Sequence, residues 1–216
     1  MHIDIFSDPI CPWCFIGKRR LRRALAARPG LRPTIRWRAF QLNPAMPADG
    51  MERQSYLAVK FGNAAEAQRL YATIGQVGAV EGIDFRFDRI RMTPNTVDAH
   101  RLVRYAQAFE RDDAVTDALF HAYFLQGRDI GDRRVLAELA QEAGLERTEA
   151  EAFLAGGDGA DAVRGEDMRA RQLGIEGVPC FIVDRRYAIS GAQEPEAFFS
   201  LFDMVSASET RSAVAE

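Results

Sequence analysis

Residues 7–20 read SDPICPWCFIGKRR and place two cysteines, Cys11 and Cys14, three positions apart. A short apolar stretch at 2–6 precedes the segment and predicts a strand, and apolar residues at helical spacing continue to about residue 27. In a helix, residues i and i+3 share one face with Cβ atoms about 5–6 Å apart, which is near disulfide geometry. The pattern therefore predicts a strand-to-helix junction that carries two thiols able to form a reversible disulfide.

Cys11 is the predicted nucleophile of this pair. It stands at the start of the helix, where unpaired N–H groups and the helix dipole favour a thiolate over a thiol. Cys14, one turn further and less exposed, is the predicted resolving thiol that attacks a mixed disulfide. Pro12 suits the first turn because its missing N–H would have no partner there. The basic residues at 18–23 are expected to form a solvated face of the helix.

Two other interpretations of the cysteine pair stay open at this point, a zinc site and a pair of inert buried residues. A structural zinc site usually needs four Cys or His ligands. No second C-x-x-C and no H-x-x-x-H is present, so we predict no metal site. The other candidate ligands are Cys180, His2, His100 and His121.

Composition favours a globular protein without nucleic-acid partners. Of the 216 residues 47% are hydrophobic and 27% charged, and the net charge is −3. The N-terminus shows no export signal and no apolar run reaches the ~20 residues of a membrane span, so we expect a cytoplasmic protein that does not bind membranes. Because cytosolic thiols are kept reduced, a disulfide between the cysteines is expected to be transient and functional.

The order of predicted elements is β-α-β, then helices, then β-β-α. This order predicts an α/β fold of the thioredoxin-like type with a large inserted α-helical domain. Residues 1–42 and 175–204 are assigned to the thioredoxin-like domain, 43–174 to the inserted helical domain, and 205–216 to a flexible tail. Asn63 and Thr148 resemble helix caps. The predicted strands are 2–6, 34–38, 180–183 and 187–189, and the predicted helices are about 13–27, 52–61, 64–80, 96–110, 114–126, 132–143, 148–155, 161–173 and 195–204.

Four motifs together resemble the DsbA family of thioredoxin-like oxidoreductases, in its cytoplasmic FrnE-like branch: SDPICPWCFIGKRR, NTVDAHRL at 95–102, GVPCF at 177–181 and ISGAQEPE at 189–196. The resemblance implies that Cys11 attacks, that Cys14 resolves, and that Val178–Pro179 is a cis-proline loop whose backbone pairs with a substrate strand. The implied catalytic residues are Cys11, Cys14 and Pro179, and the implied substrate-binding residues are Pro12, Trp13, Val178 and Asn95.

The resemblance also reaches kappa-class glutathione transferases and 2-hydroxychromene-2-carboxylate isomerases, which have a serine at the position of Cys11. An alternative reading of Asn95 is a helix cap, and His100 is expected to be packed or at the surface. Cys180 is expected to be a small buried hydrophobic residue turned away from Cys11, or else a third reactive thiol. The dipeptide Pro12-Trp13 lacks a histidine found in strongly oxidising relatives, so redox direction does not follow from the resemblance.

The sequence therefore predicts a thiol-disulfide oxidoreductase or isomerase that exchanges disulfides of proteins or small molecules. The alternatives are a glutathione-dependent isomerase or transferase and a non-catalytic peptide-binding module. No bound cofactor is implied, and glutathione is a candidate co-substrate. The sequence does not set the oligomeric state.

Overall fold

The two ends of the chain form a sheet, and its middle forms helices. The computed structural model describes residues 1–62 and 64–214, without the side chains of 64 and 206–214. A 3-10 turn at Phe87–Arg89 and a π-helical turn at Ala122–Gln126 lie among the helices. The elements are β1 (His2–Ser7), α1 (Pro12–Ala26), β2 (Thr34–Ala39), β3 (Met51–Glu52), α2 (Arg53–Phe61), α3 (Ala64–Val80), β4 (Met92–Thr93), α4 (Val97–Gln107), α5 (Asp112–His121), α6 (Arg133–Glu142), α7 (Arg147–Ala155), α8 (Ala160–Gln172), β5 (Cys180–Val183), β6 (Tyr187–Ser190) and α9 (Pro195–Val214).

A four-stranded mixed sheet has the order β2–β1–β5–β6. Strands β1 and β2 are parallel, with Ile5 opposite Trp37, and β5 is antiparallel to both β1 and β6, with Ile5 also opposite Phe181. Parallel neighbours need a crossover, which α1 supplies. The sheet and the many helices between β2 and β5 confirm the predicted α/β, thioredoxin-like fold class.

Helices cover both faces of the sheet because its strands alternate. Ile3 and Ile5 belong to the large buried cluster that also contains apolar residues of α1, α5 and α9. Phe6 and Cys180 point to the other face, where they form a smaller cluster with Ala170 of α8 and with Ile175. The edge of the sheet where β1 ends and β5 begins therefore lies between these two helical layers, and the cysteine pair is at that edge.

The main corrections concern element ends and one short ladder. The final helix does not end at Met204 but continues to Val214, because residues 205–214 contain neither Gly nor Pro. Glu146, not Thr148, is the N-cap of α7. The two-residue strands β3 and β4 pair with each other, and strands this short leave no alternation to detect. The predicted cap Asn63 and residues 215–216 of the predicted tail lie outside the described residues.

Candidate active site

The two cysteines of the opening segment lie at the first turn of α1. Cys11 is the N-cap, with extended backbone angles (φ −91°, ψ 112°), and Pro12 follows as the first helical residue. The Cys11 N–H donates to the Asp8 carbonyl at 2.9 Å, and the Cys14 N–H donates to the Cys11 carbonyl at 3.1 Å. These bonds place both thiols at the positive end of the helix dipole.

The loop before β5 faces this helix end. The Cys11 thiol donates to the Val178 carbonyl over a Sγ–O distance of 3.4 Å, and the Val178–Pro179 peptide bond is cis. From the far side, the Gly191 N–H donates to the Pro179 carbonyl at 2.8 Å. Cys11, Cys14 and Cys180 are all free thiols. The fold thus brings Cys11, Cys14, Val178 and Pro179 to one place, although more than 160 residues separate the two pairs.

Both active-site thiols are buried, so the start of the helix does not expose Cys11 as its position suggests, although Cys14 is the less accessible of the two, as predicted. Only 4% of Cys11 and 1% of Cys14 is accessible to solvent. Trp13 and Val178, each half-buried, pack against the cluster that contains both cysteines. The position of a residue at a helix start indicates the direction of the local dipole, but its solvent exposure is set by neighbours from other parts of the chain. Cys11 is therefore largely shielded from solvent.

The environment of Cys14 keeps its thiol protonated. Burial raises its pKa well above the usual range, and the neighbouring Cys11 sulfur raises it further. Hydrogen bonds from the Ser7 side chain and the Asp8 backbone act in the opposite direction but are weaker. Cys14 is therefore a neutral thiol at pH 7, which fits a resolving cysteine better than an attacking one.

A buried carboxyl group, Asp8, lies directly beside the cysteine segment. Its side chain is fully buried and accepts hydrogen bonds from the Leu42 N–H at 2.7 Å and the Ile10 N–H at 3.3 Å. Burial raises the pKa of Asp8 to about 7, and the two backbone bonds partly offset that effect. Asp8 is not among the residues that the sequence pattern predicts to be functional. Its place between a buried strand and a C-x-x-C was the available signal.

His100 lies on α4 next to Asp8 and is buried, which agrees with the first of its two predicted positions, packed in the interior or at the surface. Its Nε2 lies 3.2 Å from the Phe40 carbonyl and 3.9 Å from Asp8 Oδ1. Burial lowers the pKa of His100 to about 4. Beneath the cysteines there is consequently a neutral imidazole next to a carboxyl group that titrates near neutrality.

Asn95 has a structural explanation. Its Nδ2 donates to the Met46 carbonyl at 2.7 Å, and its Oδ1 accepts from the Val97 N–H at 3.0 Å at the start of α4. Within the described chain no hydrogen bond joins Asn95 to the cysteine pair. Pro12 is half-buried beside Cys11, as Trp13 is. The substrate-binding role of these residues stays a prediction.

Cys180 has the predicted buried position on the other face of the sheet. It pairs with Phe6 in register and packs in the smaller cluster against α8, with 6% of its surface exposed. Burial raises the pKa of its thiol. The alternation of strand residues therefore separates Cys180 from Cys11, although only Pro179 lies between Cys180 and the Val178 carbonyl that Cys11 contacts.

The basic run at 18–23 is only in part a solvated face: Arg22 and Arg23 are exposed, as predicted, but the prediction is wrong for Lys18 and Arg20, which are buried. Lys18 is 2% exposed, and its ammonium group lies 2.6 Å from Asp113 Oδ1 on α5. Arg20 is buried, and its Nε donates to Glu81 at 3.0 Å. Burial lowers the pKa of Lys18, with the nearby carboxylates acting against it. These charges hold α1 against the helical part of the chain.

The described residues contain no group of three or more His, Cys, Asp or Glu side chains arranged to hold a metal ion. None of the described helices is both long and apolar enough to cross a bilayer.

Comparison with known proteins identifies the family. A family model described as a DSBA-like thioredoxin domain matches residues 2–203. The chain belongs to the DsbA-like thioredoxin domain family. This family assignment covers the sheet, the cysteine segment and all the helices up to α9, so the inserted helices are part of the matched region.

Solved structures extend the family comparison. A probable DsbA oxidoreductase from Streptomyces coelicolor is 37% identical, with a TM-score of 0.87 over 96% of this chain and 90% of that chain. The cytosolic disulfide reductase DsbM from Pseudomonas aeruginosa, solved with GSH, is 22% identical with a TM-score of 0.68 over 96% and 100% of the two chains. A 2-hydroxychromene-2-carboxylate isomerase is 18% identical, with a TM-score of 0.68 over 100% of both. The last two show likeness of fold alone.

Proposed function

We propose that this DsbA-like protein is a thiol-disulfide oxidoreductase that works through the Cys11–Cys14 pair. The observation that carries the proposal is the contact of the Cys11 thiol with the Val178 carbonyl at the start of α1. It places the attacking sulfur beside a backbone segment that an extended substrate can pair with. The 37% identical family member, a probable DsbA oxidoreductase, supports the same activity.

The chemistry is two successive exchanges. The Cys11 thiolate attacks one sulfur of a substrate disulfide, so that a mixed disulfide forms and the other substrate sulfur leaves as a thiolate. Cys14 then loses its proton and attacks the Cys11 sulfur, which releases the second substrate thiol. The substrate gains two electrons and the pair becomes a disulfide. The reverse sequence oxidises a dithiol substrate.

Val178 supports recognition of the substrate backbone. Its N–H donates to no acceptor within the described chain, and its carbonyl is bonded only to the Cys11 thiol. A substrate strand that runs along the loop satisfies this N–H with a backbone carbonyl while its sulfur lies near Cys11. Trp13 and Pro12 flank the same position and complete the proposed substrate contact, with Pro179 supporting the loop from behind. The substrates are accordingly disulfides or thiols of proteins and small molecules.

Turnover of a protein disulfide by variants tests the proposal. Insulin reduction by dithiothreitol should be accelerated by the wild-type protein and not by Cys11→Ser, while Cys180→Ala, a matched cysteine outside the site, should retain the rate. Cys14→Ser should accumulate mixed disulfides instead of completing the cycle. Wild-type protein without effect on insulin or on any small disulfide would contradict the proposal.

The direction of electron flow is measured by the reduction potential of the pair. Thioredoxin, a reductant, has a potential of about −270 mV, and the strong oxidant DsbA has about −120 mV. We place the protein in the cytoplasm, where reduced thiols favour the reductant or isomerase direction. Equilibration of the pair with glutathione buffers gives the value directly.

Glutathione is the proposed small co-substrate, and a glutathione-dependent isomerase or transferase is the second candidate function. A donor cluster supports glutathione binding. Lys60 Nζ donates to the Tyr56 hydroxyl at 2.7 Å, which donates to Asn43 Oδ1 at 3.2 Å, while Asn43 Nδ2 has no partner within the described chain. Asn43 follows Leu42, whose N–H binds Asp8. Ammonium and amide donors suit the carboxylates of a thiol tripeptide.

Cys11→Ser separates the two candidates. Relatives of the second class have serine at this position, so a glutathione-dependent isomerase or transferase should keep activity in this variant. A disulfide oxidoreductase should lose it. Wild-type exchange on insulin without added glutathione would favour the first function further.

A further inference from the structure

Gly17 lies where α1 crosses the loop that carries Pro179. The residue is buried in the interior of α1. A Cβ atom at this position would lie 2.9 Å from Cγ of Pro179, 3.2 Å from Cζ of Phe181 and 3.6 Å from Cα of Ala192. Real Cβ atoms essentially never approach another atom within 3.0 Å, so any larger residue here must displace the Pro179 ring.

The backbone of α1 does not itself require glycine at this position. Gly17 is not among the residues with positive φ, and glycine is a poorer helix former than alanine. Gly165 in α8 provides the contrast, because it is exposed and a Cβ atom there would meet nothing within 4 Å. The close approach of the proline ring is what distinguishes Gly17.

Two contacts therefore fix the loop against α1. Cys11 contacts the Val178 carbonyl, and Gly17, six residues or about 9 Å further along the helix, leaves too little room for a Cβ atom beside the Pro179 ring. The Gly191 N–H holds the Pro179 carbonyl from the other side. The Pro179 ring is closed onto the backbone nitrogen, so Cγ can yield only by a change of ring pucker, and any further displacement moves the loop backbone.

We propose that Gly17 is a positioning residue that sets the spacing between the redox helix and the Val178 backbone, and thereby selects substrates that bind as an extended strand. The inference rests on the proposed disulfide exchange. A strand paired with Val178 presents its sulfur to Cys11 only if the two stay at a fixed distance. A small disulfide that makes no backbone pairing needs Cys11 alone and does not depend on this spacing.

Kinetics of Gly17→Ala on two substrates test the proposal, with Gly165→Ala as the matched control. With insulin, kcat/KM should fall about 10- to 100-fold, as expected when a reacting group is displaced by a fraction of an ångström to one ångström. With bis(2-hydroxyethyl) disulfide the loss should stay below about threefold. Gly165→Ala should match the wild type on both. Equal losses on both substrates, or no loss on insulin, would overturn the inference. A wild type inactive on both would instead overturn the proposed function.

A double-variant cycle on thermal stability tests the contact without using activity. Gly17→Ala should lower Tm by about 3–8 °C because it overpacks the helix–loop contact. In a Pro179→Ala background, which lacks Cγ, the same change should lower Tm by less than half as much. Equal shifts in both backgrounds would overturn the contact. If Gly17→Ala alone does not fold, a folded Gly17→Ala/Pro179→Ala protein supports the contact, and an unfolded one overturns it.

Discussion

Replacing Asp8 by asparagine should change how the stability of the protein depends on pH. Burial raises the pKa of Asp8 to about 7 in the folded protein, from an ordinary value of 3.8. Between these values the folded state keeps a proton that the unfolded state releases. Each pH unit in this window therefore lowers the free energy of unfolding by about 1.4 kcal/mol, or roughly 4 kcal/mol in all.

His100 acts in the opposite direction over much of the same range. Burial lowers its pKa from 6.5 to about 4, so the unfolded state binds a proton that the folded state lacks. The free energy of unfolding consequently rises by roughly 3 kcal/mol as the pH increases from about 4 to 6.5. In the wild type the contributions of Asp8 and His100 nearly cancel in this window. Asp8→Asn removes the contribution of Asp8, which decreases with pH, so that the contribution of His100, which increases with pH, is no longer cancelled.

Urea unfolding of the wild type and Asp8→Asn at pH values from 4.5 to 7.5 measures the effect. Asparagine keeps an oxygen that can accept from the Leu42 N–H. From the low to the high end of this pH range, the free energy of unfolding of the variant should rise by roughly 3 kcal/mol relative to that of the wild type. Gln54→Asn, at an exposed position without a titratable group, should differ from the wild type by a constant amount. A constant difference for Asp8→Asn as well would refute the assignment of a buried carboxyl group that titrates near pH 7.

Three further predictions concern thiols and a buried charge. Alkylation of the reduced native protein at pH 7 should modify Cys11 before Cys14 and Cys180, because burial raises the pKa of the latter two thiols. Peptide mapping measures the three rates, and equal rates would argue against this order. Cys180→Ala should leave the rate of disulfide exchange within about twofold of the wild type and should lower the free energy of unfolding in urea by an amount on the order of 1 kcal/mol. A disulfide map that links Cys180 to Cys11 or Cys14 would contradict the separation of Cys180 from the pair. Asp113→Ala should destabilise by about 1–2 kcal/mol, because it removes one carboxylate from the buried Lys18 ammonium, while Asp117 remains at 3.2 Å and solvent screens the half-exposed Asp113. Lys18→Met should cost less than about 1 kcal/mol, and the reverse order in urea unfolding would show that the Lys18 ammonium is not a desolvated charge.

The strand-to-helix junction could be predicted because its signals are local. Cys11, Pro12 and Cys14 sit in one helical turn, and the alternation around Cys180 depends only on neighbouring residues. The cover over Cys11, the burial of Asp8 and the pairing of Lys18 with Asp113 depend on segments 30 to 170 residues away. Spacing along the chain carries no information about such partners.

The helical part shows the same limit. Helical periodicity located α2 to α8 within a few residues, because each helix has one apolar face. The predicted helix at 114–126 is divided into α5 and a π-helical turn, a difference that no side-chain pattern marks. Gly17 illustrates the limit within one helix, since its role is defined by the ring of Pro179 more than 160 residues further along the chain.

The most direct test of the central claim is identification of the covalent intermediate. Cys14→Ser protein is incubated with a peptide that contains one intramolecular disulfide, quenched in acid, and mapped by mass spectrometry. Our account predicts a mixed disulfide that joins the peptide to Cys11, and none in a Cys11→Ser/Cys14→Ser control. A peptide adduct on Cys180, or no adduct on Cys11, would contradict it.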